Sequence, residues 1–166
     1  MRQLFLCAGE QGCSPVRKGR CMKLSTKGRY GVRLMFDLAL HYGEGPIFLK
    51  DIAERQQISE KYLWQLIPPL KQAGLVTSTR GAHGGYELSK PPAQITVRDI
   101  VQTTEGPLSL VDCVENAPIC AQAEACVARD VWSEISAKLI QAMDAITLEN
   151  MIERKRGIAN ESNYVI

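Results

Sequence analysis

The sequence predicts a mainly α-helical fold that contains one small β-hairpin and one long helix late in the chain. Three observations support this fold class. Three segments with helical spacing of apolar residues come first, two short β-prone segments then flank a glycine-rich turn, and apolar residues later alternate at spacings of four and three. Together these patterns place helices on both sides of a single hairpin.

The composition is that of a soluble globular protein. The chain has 166 residues, of which 45% are apolar and 23% charged, enough for one domain with a proper core or a small domain with an arm. No apolar run approaches the ~18 residues of a membrane span. Leu4-Phe5-Leu6 is also shorter than the roughly 7–15 apolar residues of a signal peptide. We therefore expect a cytoplasmic protein with no membrane partner.

Residues 1–21 are expected to form a flexible N-terminal extension. Glycines and a proline interrupt every helical or strand period in this segment. Cys7, Cys13 and Cys21 lie within it. Because an unordered segment cannot preorganise a binding site, we expect these three thiols to be exposed and without a ligand.

The first two helices are predicted from apolar spacing. Tyr30, Leu34 and Leu38 repeat every four residues, as on one helical face, and the pattern stops at Gly43-Glu44-Gly45-Pro46. A short second helix is predicted over Leu49–Gln56.

A third helix follows, with Ser59 as its N-cap. Leu63, Ile67 and Leu70 share one face and form its predicted buried side. Pro68-Pro69 removes two backbone donors within this run, and an interior proline costs about 3 kcal/mol. We therefore expect a kink after Ile67.

Two short strands are predicted at Leu75–Arg80 and Tyr86–Leu88. The segment between them, Gly81-Ala82-His83-Gly84-Gly85, is polar and rich in glycine, which predicts the tip of a hairpin. Three helices followed by a hairpin is the order of a winged helix-turn-helix domain. We place this domain at residues 22–92, where Pro91-Pro92 ends it.

Residues 93–154 are predicted to hold a short helix near Thr96–Thr103, a cysteine loop and a long dimerisation helix. The long helix carries a heptad pattern, by which two helices pack on each other. Its members are Ala128, Trp132, Ile135, Leu139, Ala142 and Ile146. Packing on its own domain is the alternative, but so small a domain has little core left to cover this helix. We expect a homodimer, and a flexible tail at residues 155–166.

Charge divides the chain into two unlike halves. Met22–Lys90 has ten Lys or Arg against six Asp or Glu, a net charge of +4, while Pro91–Asn150 has three against nine, a net charge of −6. A basic first half suits phosphate groups, and the acidic second half is expected to face elsewhere.

Several short strings, taken in order, carry a family resemblance. They are Met22-Lys-Leu-Ser-Thr-Lys-Gly-Arg-Tyr30, Asp51-Ile-Ala-Glu-Arg, Ile58-Ser-Glu-Lys-Tyr-Leu63, Ala73-Gly-Leu-Val76, Arg80-Gly-Ala-His-Gly-Gly-Tyr86, Ile95-Thr-Val-Arg-Asp-Ile100, Glu105-Gly-Pro-Leu108 and Ile146-Thr-Leu148. Over roughly Met22 to Arg154 the chain resembles the IscR-like winged-helix regulators. The resemblance implies a homodimeric bacterial transcription factor, in many members with an iron–sulphur cluster on three loop cysteines. An enzyme is not expected, because the sequence has no nucleotide-binding glycine motif and no candidate acid–base pair.

In such a fold the third helix enters the major groove of double-stranded DNA with its N-terminal residues at the base edges. The candidate contacts are Ser59, Lys61, Tyr62, Trp64 and Gln65. Gln65 suits adenine, whereas Ser59 and Tyr62 suit phosphates. The family usually has an acidic residue where this chain has Trp64. A tryptophan there could contact a thymine methyl group, obstruct the groove or pack against a neighbouring helix.

The remaining candidate DNA contacts are Lys27, Arg29, Arg80, Gly81, Gly84 and Gly85. Arg80 resembles the family's minor-groove reader, and a narrow minor groove attracts arginine. The three glycines would allow the backbone to approach DNA closely. The two basic residues of the first helix are candidate phosphate contacts or else solvated charges. His83 is expected to be a polar wing residue and not a metal ligand.

Cys113, Cys120 and Cys126 lie within fourteen residues, at a spacing that differs from the pairs about two to four apart in structural zinc sites. The pattern resembles the cluster loop of the IscR-like regulators, and this resemblance implies an iron–sulphur cluster, either [2Fe–2S] or [4Fe–4S]. Thiol-only sensing and zinc remain the alternatives. Where some relatives have a histidine, three residues after the last cysteine, this chain has Arg129, which cannot ligate a metal. The fourth ligand is therefore open.

The resulting hypothesis is a homodimeric regulator that reads a roughly palindromic operator. Its affinity for DNA would be tuned by the cluster, which would sense iron or cluster status, redox state or nitric oxide. The alternative is a metal-free regulator of the same fold, controlled by thiol oxidation or by a partner protein that docks on the acidic half.

Overall fold

A computed structural model describes residues 24–81, 84–116, 119–120 and 122–162 of the chain, without the side chains of 159–162. Within these ranges the fold is mostly helical with a two-stranded antiparallel hairpin, as predicted. The expected N-terminal extension with Cys7, Cys13 and Cys21, the wing residue His83 and residues 163–166 lie outside the described residues.

The elements follow one another in an order that matches the prediction. They are α1 (Thr26–Leu40), α2 (Leu49–Gln56), α3 (Glu60–Gln72), β1 (Val76–Thr79), β2 (Gly85–Leu88), α4 (Val97–Glu105), α5 (Asp112–Glu115), α6 (Val127–Asp144) and α7 (Leu148–Ser162), with short 3-10 turns at Pro92–Gln94 and Ala123–Ala125. None of the helices in the described part of the chain is long and apolar enough to cross a membrane.

A tight turn joins α2 to α3. Gln57 adopts the left-handed backbone conformation, with φ of 51°, and Ile58 next to it is buried. The Ser59 hydroxyl then accepts a hydrogen bond from the Tyr62 amide at 3.3 Å, which confirms Ser59 as the N-cap. This turn fixes the angle at which α3 leaves α2.

The helix α3 continues through Pro68-Pro69 as far as Gln72. The two missing amides would have bonded the carbonyls of Trp64 and Gln65, and both of these residues are exposed. Water can satisfy those carbonyls, so the prolines do not end the helix. Leu70, beyond the prolines, is fully buried.

The hydrophobic core lies among α1, α3, α4 and the start of α7. Leu34, Leu63, Leu70, Ile100 and Leu148 are all 0% exposed and belong to one cluster. The predicted buried face of α3 is therefore confirmed. The core also includes residues on both sides of position 92, so α4 and α7 complete the winged domain.

The last helix returns to that domain through backbone pairing. The Val97 amide donates to the Ile146 carbonyl at 2.8 Å, and the Leu148 amide donates to the Ile95 carbonyl at 3.0 Å. The helix α7 then continues to Ser162, beyond Arg154, where we expected a flexible tail to begin.

Candidate nucleic-acid interface and cysteine loop

The N-terminal half of α3 presents polar side chains to solvent. Lys61 and Gln65 are exposed. Tyr62 is half-buried, because its ring packs edge-on against Tyr30 with 5.3 Å between the ring centroids. Ser59 is exposed, but its hydroxyl is engaged as the helix cap. Lys61 and Gln65 are therefore the predicted side chains with the most freedom to reach a groove.

Trp64 contacts the wing. Its side chain is 52% exposed, and its ring meets that of Tyr86 on β2 edge-on, with 6.0 Å between centroids. The indole Nε1 donates a hydrogen bond to Glu60 Oε1 at 3.2 Å. Burial raises the pKa of Tyr86 above its ordinary value, since it disfavours the phenolate. The described ring contact of Trp64 therefore joins α3 to the hairpin. One interpretation of the sequence had placed this ring against a neighbouring helix.

The wing glycines have steric roles inside the protein. A Cβ on Gly84 would lie 2.5 Å from the Thr79 carbonyl oxygen, and one on Gly85 would lie 2.5 Å from the Ile47 carbonyl oxygen. Gly81 has open space around it, but its φ of +119° favours glycine. These glycines are also the ones predicted to let the backbone approach DNA closely. The geometry gives two of them an internal reason as well.

A cleft of about 580 Å³ lies between the start of α2, α3 and the wing. Its lining includes the cations Lys50, Lys71 and Arg80 and the carboxylates Asp51 and Glu60. Of these five residues, Arg80 is the one predicted from the sequence to contact DNA. Single charged residues in a helical pattern are normally solvated, and only the fold brings these five to the same cleft.

The start of α1 is held by a residue distant in sequence. Glu105 Oε1, at the end of α4, accepts hydrogen bonds from the Ser25 amide at 2.9 Å, the Ser25 hydroxyl at 2.7 Å and the Gly28 amide at 2.8 Å. A carboxylate at this end of a helix also complements the helix dipole. Lys27 and Arg29 are exposed on this same first turn, so Glu105 positions the segment that carries them.

The three predicted metal ligands lie between the start of α5 and the start of α6. Cys113 and Cys126 are half-buried, Cys120 is exposed, and all three are free thiols. The donor set is that of an iron–sulphur site. In the portion of the chain that the structure describes, however, no three or more His, Cys, Asp or Glu side chains are grouped so that they could hold a metal ion. The residue types fit the group, but their described arrangement does not preassemble a site for it.

Arg129 braces this loop. Its Nε donates to the Cys113 carbonyl at 2.8 Å, and its Nη1 donates to the Ala123 carbonyl at 3.5 Å. The guanidinium therefore connects α5, the turn before α6 and α6 itself. The position that we considered for a fourth ligand instead holds the loop through backbone oxygens.

The predicted heptad face of α6 is largely uncovered within one chain. Trp132 is 43% exposed and Ile135 42%, while Val131 beside them is 49% exposed. One helical turn after Trp132, Ser136 is buried, and its hydroxyl donates to the Trp132 carbonyl at 2.8 Å and accepts from the Leu110 amide. The segment after α4 therefore covers α6 around Ser136, while Val131, Trp132 and Ile135 leave an apolar stripe partly in solvent, and such stripes often mark interaction surfaces.

Three helices, a hairpin wing and an exposed, partly basic helix beside that wing define a winged helix-turn-helix DNA-binding protein. Residues 24–154 match the model of the Rrf2 family, described as an iron-dependent transcriptional regulator, and the chain belongs to this family. The resemblance and the fold class given by the sequence are confirmed. The chain is a transcriptional regulator and not an enzyme.

Proteins named CymR and proteins named IscR are both similar to this chain, with comparable sequence identities. The HTH-type transcriptional regulator CymR of Bacillus subtilis is 45% identical over 130 residues, which cover 78% of this chain and 89% of that protein. A solved structure of CymR, described as the global cysteine regulator of B. subtilis, gives a TM-score of 0.68 at 44% identity and covers 80% of this chain and 98% of that one. A solved structure of T. potens IscR gives a TM-score of 0.66 at 46% identity. The match covers 81% of this chain and 88% of that one.

Proposed function

We propose that this regulator acts as a homodimer that binds a roughly palindromic operator through α3 and the wing. The observation that carries the proposal is that α3 and Arg80 border the same cleft while Lys61 and Gln65 remain exposed. Two such units, related by a two-fold axis, would read half-sites about one helical turn (~34 Å) apart. Since DNA is the target, we place the protein in the cytoplasm.

The candidate DNA contacts have different roles in this proposal. Lys61 and Gln65 contact base edges, with the Gln65 amide suited to adenine.

The wing inserts Arg80 into the minor groove, and Gly81 at its exposed tip lets the backbone follow. The first turn of α1 supplies Lys27 and Arg29 to phosphates, and Ser59 and Tyr62 add phosphate contacts at the start of α3. Gly84 and Gly85 maintain the wing shape.

Dimerisation in the proposal uses the apolar stripe of α6. Trp132 and Ile135 are large apolar side chains with more than a third of their surface in solvent. A second copy of α6 would cover them with the same residues, as a heptad seam does. The stripe lies next to the cysteine loop, because Cys126 directly precedes α6.

The cysteine loop is the proposed sensing site that controls DNA binding. We infer that Cys113, Cys120 and Cys126 hold an iron–sulphur cluster, in keeping with the iron-dependent description of the family. A bound cluster would supply a centre sensitive to iron supply, redox state or nitric oxide. The protein's own contribution is to present three thiols on one loop and to brace that loop through Arg129.

A metal-free regulator is the second candidate, and a specific observation favours it. Cys120 is exposed and Cys113 and Cys126 are half-buried, so an oxidant in solvent can reach a thiol of this loop. In this form thiol oxidation, or a partner protein on the acidic half, would set the state of the loop. The match to CymR is compatible with this candidate.

A short physical route connects the loop to the DNA-binding surface. The helix α4 ends at Glu105, whose carboxylate caps α1, and the following segment leads to α5 and Cys113. A change in the loop that pulls on the end of α4 would therefore shift the first turn of α1. That turn carries Lys27 and Arg29, which the proposal assigns to phosphates.

DNA reading is tested by selecting operators from randomised duplexes and measuring affinity across salt concentrations. The change Arg80→Ala is expected to weaken operator binding about tenfold, the size of one lost base contact, because a cation is removed from the narrow minor groove. The control Lys138→Ala removes an exposed cation that pairs with Glu134 on its own helix, and it should leave affinity unchanged. Equal affinities of both variants and the wild type would contradict the wing assignment.

The input is tested by counting iron and sulphide in anaerobically purified protein and in a variant with all three loop cysteines changed to serine. The cluster proposal predicts iron and sulphide in equal amounts in the wild type and none in the variant. A colourless wild type that resists reconstitution, but whose operator affinity changes on thiol oxidation, would support the metal-free candidate instead.

A further inference from the structure

Glu60 lies at the edge of the cleft between α2, α3 and the wing. It is the first residue of α3, it is exposed, and it lines the cleft that Arg80 also borders. One of its carboxylate oxygens, Oε1, accepts the hydrogen bond from Trp64 Nε1 at 3.2 Å. The other oxygen is not used in this hydrogen bond.

A carboxylate in this position opposes non-specific DNA binding. Phosphates carry one negative charge per ~1.7 Å of duplex axis, so an added anion in the cleft is repelled at every sequence. The repulsion is offset where the carboxylate meets a hydrogen-bond donor on a base edge. In the major groove the exocyclic amine of cytosine is the donor that Glu and Asp accept from.

Trp64 restricts the carboxylate to one place. The indole N–H holds Oε1, and the indole ring is itself held edge-on by Tyr86 on β2. Tyr86 is fixed in turn by two backbone hydrogen bonds with Ile47, at 2.8 and 2.9 Å. A long side chain that is already ordered loses less conformational entropy on binding.

Building on the proposed function, we propose that Glu60 is a specificity-determining residue that accepts a hydrogen bond from a cytosine amine through Oε2. Trp64 is its positioning residue. The pair also links base reading to the wing, because the ring that orients Glu60 packs against β2. The regulator would thus prefer a C·G pair at one fixed position of each half-site.

The first test compares base preferences after the change Glu60→Gln. The amide keeps the size of the side chain and an oxygen that can accept from Trp64, but its free end carries a donor. We expect the preference for cytosine at one position in each half-site to fall about tenfold, as for the loss of one good base contact. Affinity for unrelated duplexes should rise, because one negative charge is gone.

A matched control separates base reading from net charge. The change Glu54→Gln removes an equal charge from the exposed side of α2, and it should alter non-specific affinity without altering any base preference. A Glu60→Gln variant that selects the same bases as the wild type at every position would overturn the assignment. If the wild type selects no sequence at all, the proposed DNA-reading function fails, and this inference fails with it.

The positioning role of Trp64 is tested by the change Trp64→Phe. A phenyl ring can keep the edge contact with Tyr86 but has no N–H for Glu60. Discrimination should fall at the same base position as in the Glu60→Gln variant, and the double variant should lose little more than Glu60→Gln alone. Additive losses, or losses at a different position, would show that Trp64 acts on DNA independently and would overturn the positioning role.

Discussion

The Glu105 cap on α1 gives a stability prediction with a definite size. We consider the change Glu105→Ala, which removes the acceptor for three donors while leaving the donors in place. The Ser25 amide, the Ser25 hydroxyl and the Gly28 amide all lie within 2.9 Å of Glu105 Oε1. Gly28 is buried, so its amide cannot easily turn to water.

The size follows from the number of donors and their exposure. A hydrogen bond to a charged group contributes about 1.5–3 kcal/mol, and leaving a buried donor unsatisfied costs about 1–3 kcal/mol. Glu105 itself is half-buried, and the Ser25 hydroxyl can bond water, so the three contributions do not add in full. We expect Glu105→Ala to lower the free energy of unfolding by about 2–3 kcal/mol. Glu105→Gln keeps an acceptor oxygen and should lose about 1 kcal/mol.

The assay is urea unfolding at one fixed protein concentration, followed by far-ultraviolet circular dichroism. Glu134→Ala is the matched control, because Glu134 is exposed and pairs only with Lys138 one turn away on α6 among the described ion pairs. Such a pair is worth about 0.3–0.5 kcal/mol. A Glu105→Ala variant within 0.5 kcal/mol of the wild type, equal to the control, would refute the argument that this carboxylate holds the start of α1.

Three further predictions concern the α1–α2 contact and the wing. Asp37→Asn should lower the free energy of unfolding in urea by about 2–3 kcal/mol. The buried carboxylate accepts a hydrogen bond from Arg55 Nη2 at 2.6 Å, and an amide cannot replace both of its charged oxygens. An unchanged urea midpoint would contradict this prediction. Gly85→Ala should cost about 2 kcal/mol and weaken operator binding, since its Cβ would meet the Ile47 carbonyl oxygen at 2.5 Å; normal binding would show that the wing adapts. Burial raises the pKa of Tyr86 from 10.0, so the folded state keeps this proton to higher pH. The free energy of unfolding should be insensitive to Tyr86 below pH 10 and fall as pH rises further, and urea unfolding of Tyr86→Phe should lack that part of the decline.

Local signals in the sequence predicted much of the fold. Ser59 was identified as a cap because a serine precedes a helical pattern, and the buried face of α3 followed from the spacing of Leu63, Ile67 and Leu70. The helix α3 continues past the prolines to Gln72, and the kink expected after Ile67 stays a prediction. Propensity describes the cost of a missing donor, and it omits the surroundings of the affected turn, where Trp64 and Gln65 are exposed residues.

The candidate site was less predictable, since its contacts join distant residues. Glu105 caps a helix that begins about 80 positions earlier, and no local pattern indicates such a contact. Arg129 bonds backbone oxygens, which every residue has, so its brace on the loop leaves no signature in side-chain type. The Glu60–Trp64 pair did leave one: residues four apart on a helix are neighbours, and this spacing could have drawn attention to Glu60.

The return of α7 to the winged domain has a consequence for how the protein is made. Leu148 is fully buried in the same core as Leu34 and Leu63, and the strand-like pairing of Thr96 with Thr147 closes that core from the far end of the chain. During synthesis, the first ninety residues therefore leave the ribosome without the side chain that completes their interior. A prematurely terminated chain would lack a finished DNA-binding domain, so truncated products should be removed by proteolysis and should not compete with the full-length regulator for its operators.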